Sequence, residues 1–146
     1  MAIPDDSIDT DAQAMFGYDI SLIAQSSFGA TEHGKAIVAL LERFNKAGHI
    51  RYAQLEERGA WDGENILVSD NYRARVWPTT CELAHEGAHA LWRQRNPRKV
   101  QSAAEAELEE KAARIVQARV YQWLRRYRGA PVDPELEARL PKLGLR

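Results

Sequence analysis

The sequence predicts an α+β fold, mostly helical, with a small antiparallel sheet, and three observations carry that prediction. Apolar residues recur at helical spacing over several separate stretches. Between two of these, residues 49–68 hold two short apolar runs with the turn dipeptide Asp62-Gly63 between them. Helix-start signatures of the Ser/Thr-x-x-Glu kind, and Gly or Pro stops, punctuate the helical stretches.

The elements follow in order. Residues 1–12 are acidic and poor in large apolar groups, which predicts a loose arm. A weak apolar pattern over Ala12 to Ile23 predicts a short helix broken near Gly17. Thr31 is placed to cap a helix burying Ile37, Val38, Leu40, Leu41 and Phe44, with Gly48 as its stop. His49 to Leu55 and Asn65 to Val68 are the expected antiparallel strands. Pro78 then breaks the chain, and Thr79 with Glu82 forms a capping box for a helix ending near Arg95, ahead of Asn96-Pro97. Ser102 with Glu105 opens a long amphipathic helix that stops at Gly129, and Asp133-Pro134 starts a short last one. Residues 1–30 are thus expected as arm and short helix, and 31–146 as the body of one domain.

At 146 residues and 45% hydrophobic, the chain is long enough to hide roughly two-thirds of its unfolded surface. A net charge of -1 excludes the basic excess that nonspecific nucleic-acid binding requires. A single cysteine, Cys81, permits no internal disulfide. The acidic start is the opposite of a secretory n-region, and no apolar run is long enough to span a membrane. The expected location is therefore the cytoplasm of the producing cell, or export without a cleavable signal.

The chemistry lies in His85-Glu86-Gly87-Ala88-His89. Histidines four apart point from one helical face, so both imidazoles reach one tetrahedral zinc while Glu86 lies beside the metal's water. Leu83, Gly87 and Leu91 lie on the opposite side, where the helix would pack. A catalytic zinc takes a third protein ligand. No histidine stands six residues past His89, which sets aside the metzincin arrangement and leaves the carboxylates of the next helix: Glu105, Glu107, Glu109 and Glu110. Taking Leu108, Ala112, Val116, Val120 and Trp123 as the apolar stripe puts Glu105 and Glu109 within it, and Glu107 and Glu110 outside. Glu105 has a competing role in its capping box, so Glu109 is the expected ligand, with Glu105 as the alternative.

HEGAH, nineteen residues, then Glu109-Glu110-Lys111-Ala112 resembles the gluzincin pattern, in which an ExxA-type helix supplies the glutamate. The likeness covers roughly residues 31–128, and the layout most resembles compact ImmA/IrrE-like peptidases and metallopeptidase toxin domains of bacterial effectors. It implies a minimal zincin-like fold, and zinc-dependent peptide-bond cleavage with Glu86 as the base. Those families often place Asp or Asn after the ExxA alanine to orient a histidine; here that residue is Ala113, so the orienting group must come from elsewhere.

Tyr72 is the first choice for stabilising the oxyanion, ahead of Arg73, Arg75 and His49, because a phenol donates without adding charge. The strand Ile66-Leu67-Val68 could hold an extended substrate at the cleft's edge. Arg93, Arg95, Arg98 and Lys99, with Arg125, Arg126 and Arg128, form basic clusters around the helix ends, as the helix dipole favours. The expected partners are a protein or peptide substrate and an immunity or inhibitor protein, with neither nucleic acid nor membrane. An injected toxin and a regulator that cleaves a repressor both fit, and a non-catalytic zinc module closed by Cys81 is the rival from another class.

Overall fold

The computed structural model describes residues 9–97 and 101–145. The arm expected over 1–12 falls mostly outside them, as do Arg98 and Lys99. Within the described residues the fold is α+β: five helices and a three-stranded sheet. Helix α1, Thr10–Gln25, is capped by the Asp9 carboxylate and runs unbroken through Gly17, correcting the expected break. A lone glycine costs a helix only about 1 kcal/mol, and burial of Phe16, Ile20, Leu22 and Ile23 outweighs that.

Helix α2, Glu32–Lys46, begins where expected, with Thr31 Oγ1 accepting from the Gly34 amide at 2.9 Å. It ends before Gly48, whose φ of 78° suits glycine.

The sheet comprises β1 (Ile50–Ala53), β2 (Gly59–Trp61) and β3 (Ile66–Ser69) in the order β1-β3-β2. Strands β2 and β3 form the hairpin across Asp62-Gly63, with Trp61 opposite Ile66. β1 lies parallel to β3 on its other side, with Ile50 opposite Ile66. The sheet is therefore mixed, and the expected antiparallel pairing of 49–55 with 65–68 is corrected. Gly59-Ala60-Trp61 is too short and too weakly alternating to read as a strand, yet it takes the hairpin position beside β3. The chain must then cross from β1 to the far side of β3 through residues 54–58.

Helix α3, Val76–Arg95, carries the HEGAH motif. It starts three residues before the expected Thr79 cap. Pro78 lies in its first turn, where a missing N–H costs nothing. Thr79 is interior, donating to the Tyr72 carbonyl at 3.0 Å and accepting from the Tyr52 hydroxyl at 2.9 Å. Helix α4, Ala103–Tyr127, opens with the expected capping box of Ser102 and Glu105 and ends before Gly129 at φ 69°. Helix α5, Pro134–Arg139, is capped by Asp133 as expected.

α3 and α4 form the largest helix contact, and α1, α2 and the sheet pack on the remaining sides of α3. Leu83, Ala84 and Leu91 turn into the core, and Gly87 lets α2 approach. A Cβ there would meet Leu41 Cγ at 3.1 Å and Ile37 Cγ2 at 3.2 Å. The motif helix is thereby gripped on its apolar side and open toward α4.

Candidate metal centre

Histidines at i and i+4 on α3 share the face turned to α4, and their rings sit 4.9 Å apart. The structure brings both to Glu110. His85 Nε2 lies 3.2 Å from Glu110 Oε1, and His89 Nε2 lies 2.9 Å from Glu110 Oε2. One donor atom from each of the three falls within 4.8 Å of the others. Two neutral imidazole nitrogens and a carboxylate oxygen suit zinc with a place left for water.

Each histidine is oriented from behind. His89 Nδ1 bonds Glu109 Oε2 at 2.5 Å, and Glu109 Oε1 also accepts from Arg93 at 2.8 Å and Gln101 at 2.9 Å. His85 Nδ1 bonds Gln117 Oε1 at 3.1 Å, and the Gln117 amide donates to Glu82 Oε1 at 2.8 Å. With both Nδ1 atoms so engaged, the two Nε2 atoms are the ones left for a metal.

Glu109 is thus buried, as expected, and bonds His89 Nδ1, while the carboxylate that joins the two Nε2 atoms in a cluster able to hold a metal is that of Glu110. Glu105 stays with Ser102 at the start of α4. The helical phase explains the difference. The stripe that α4 buries is Glu109, Ala113, Val116, Gln117, Val120, Tyr121 and Leu124, while Leu108 is 60% exposed. The real stripe is rotated most of one residue's turn from the expected one, which moves Glu110 from the outer face to the flank. The sequence held a signal: E-x-x-A reads equally from Glu110 to Ala113. Gln117 had none, since a glutamine within an apolar stripe looks like an interruption.

A cleft of about 460 Å³ opens over the trio, walled by Glu56, Glu57, Arg58 and Gly59 on one side and Arg114, Glu135 and Arg139 on the other. Glu86 lines it and is 6% exposed. Its Oε2 lies 3.8 Å from His85 Nε2. Burial pushes its pKa up to about 7, opposed by the two histidines. Burial also disfavours a charged His89, but bonds to Glu110 and Glu109 carry it up to about 9. Those to His85 and His89 hold Glu110 far below the usual carboxylate range.

Arg58 ties the cleft together. Its guanidinium pairs with Glu82 at 2.6 Å, Asp133 at 2.6 Å and Glu135 at 3.2 Å, joining the β1–β2 crossing to α3 and α5. Strand β2, rather than β3, borders the site. A Cβ at Gly59 would stand 3.2 Å from Glu82 Oε2 and 3.4 Å from Glu86 Cγ. The expected cleft-edge strand Ile66-Leu67-Val68 is central in the sheet, so both of its hydrogen-bonding edges are taken.

Tyr72 lies apart from the cleft lining, its ring under the Arg58 and Arg75 guanidinium groups at 5.3 and 5.7 Å. Arg73 pairs with Asp70, and His49 bonds Asn65. Among the described residues, the arginines that line the cleft are Arg58, Arg114 and Arg139. Cys81 is 2% exposed, and among the described residues its sulfur does not fall in the cluster formed by His85, His89 and Glu110. No family model matches the chain, and neither a curated protein nor a solved structure matches it.

Proposed function

We propose that the chain is a zinc-dependent peptidase in which His85, His89 and Glu110 hold the metal and Glu86 is the general base. When bound, zinc supplies Lewis acidity, acidifying a water and polarising a carbonyl. Glu109 and Gln117 orient the histidines. Glu86 accepts the proton of the attacking water as its oxygen bonds to the peptide carbonyl carbon, and delivers that proton to the departing amine as the C–N bond breaks.

The observation that carries this reading is Glu86 itself. Its carboxyl is buried beside the trio, faces the cleft and has no hydrogen-bond partner among the described residues. A zinc site that only stapled the fold would gain nothing from a carboxyl buried without a hydrogen bond, which costs stability. A base waiting for substrate needs that placement.

The test is Glu86→Gln, which is isosteric. The variant should retain one zinc per chain, while the new protein termini generated by the wild type across a whole proteome disappear. Equal yields of termini from the two proteins would defeat the mechanism.

A further inference from the structure

A groove of about 970 Å³ lies apart from the candidate metal centre. It lies along the C-terminal half of α4, with Phe28 and Thr31 on one bank and Leu140 on the other. Trp123 is 13 positions beyond Glu110 on the same helix, about 20 Å along its axis. Phe28 and Leu140 give it apolar walls, at 8% and 5% exposure.

Arg119, Arg125 and Arg126 line the groove, together with His33. Arg125 donates to the Ala130 carbonyl at 2.8 Å. Arg119 and Arg126 have no carboxylate partner among the described residues, unlike Arg93, Arg114 and Arg139 near the metal centre. Among the described residues, the one carboxylate in the lining, Glu137, accepts from the Tyr121 hydroxyl at 3.2 Å. The helix dipole accounts for cations in the last turn of α4. It does not account for Arg119, two turns earlier, or for their convergence on one cavity.

We propose that this groove docks an acidic protein segment that anchors an apolar side chain between Phe28 and Leu140. Protein is favoured over nucleic acid by the state of the aromatic rings. Trp123 packs on the core and carries the Arg128 guanidinium 5.3 Å from its centroid, and Arg126 lies 5.4 Å over Tyr127. Base stacking needs free ring faces, and one face of each ring already carries a guanidinium. A stacked guanidinium still offers its N–H edge, which suits carboxylates. The proposal stands on this groove alone and does not depend on the peptidase reading.

The probe is a labelled peptide of about twelve residues, Asp and Glu around a central Leu-Phe, read by fluorescence anisotropy against the same peptide with Gln for Glu and Asn for Asp, and against a thymidine oligonucleotide of equal length. The acidic peptide should bind, and weaken about tenfold as salt rises from roughly 50 to 300 mM. Arg119→Glu with Arg126→Glu, and Arg119→Gln with Arg126→Gln as a milder pair, should each weaken it about tenfold or more with the thermal melt unchanged. Absence of binding, equal affinity in both double variants, or tighter binding of the oligonucleotide would overturn the proposal.

Discussion

His85 presents Nε2 to the cleft because its other ring nitrogen is held 3.1 Å from Gln117 Oε1. The glutamine cannot turn over. Its amide nitrogen faces Glu82, which accepts from it at 2.8 Å while paired with Arg58. A reversed amide would set two acceptors against each other. Arg58 therefore fixes Glu82, Glu82 fixes the Gln117 amide, and Gln117 fixes the histidine tautomer.

Gln117→Leu keeps the bulk and removes the acceptor. Zinc should still bind one per chain, but about 10- to 100-fold more weakly, as measured by competition with a chromophoric chelator. An unchanged constant would remove Gln117 from this role.

Glu109 and Glu110 separate by the same measurement. Glu110→Ala should abolish stoichiometric zinc. Glu109→Gln should keep the metal and weaken it by about tenfold, since Glu109 only orients His89. The reverse pattern, metal lost with Glu109 and kept with Glu110, would make Glu109 the ligand after all.

Gly87→Ala sets two effects against each other. Helix propensity favours alanine by about 1 kcal/mol, while overpacking a fixed core costs about 1–3 kcal/mol. The added carbon would meet Leu41 and Ile37 at 3.1–3.2 Å, and both are fully buried, so the clash prevails. Urea unfolding should show a net loss of about 1 kcal/mol. A gain in stability would show that α2 yields at this crossing.

Asp19 gives the chain a pH dependence remote from the candidate metal centre. It is 2% exposed, and burial raises its pKa from 3.8 to about 7, with Thr80 opposing. Between those values the folded state holds the proton that the unfolded chain has lost, so stability falls as pH rises, by up to about 1.4 kcal/mol per pH unit. Above about 7 the loss is complete. Asp19→Asn cannot ionise, so its stability advantage over the wild type should grow from pH 4 to pH 7 and then level off. A constant difference across that range would sink the assignment.

What the sequence made legible was local. Thr31, Ser102 and Asp133 cap their helices because a side chain reaches an amide two or three residues away, and such contacts are written in adjacent letters. The spacing of His85 and His89 is equally local. Thr79 looked like a cap by the same rule, but its hydroxyl is claimed by Tyr72 and Tyr52, which only the folded chain brings near. The place of β2 was hidden because pairing chose the partner of β3 and propensity did not. Choosing between Glu109 and Glu110 required the phase of α4 to within one residue. Exposed Leu108 pulled that phase the wrong way, and buried Gln117, which would have corrected it, is polar.

The Arg58–Asp133 contact joins positions 75 apart in sequence, so closing it costs the entropy of a long loop and can occur only after the crossing from β1, α3 and α5 have each docked. The outer wall of the cleft is therefore held by a contact between segments remote in sequence. Width at the cleft mouth is governed by the seating of α5, far along the chain from the histidines it shelters. A substitution on that short helix would widen or narrow access to the histidines without touching them.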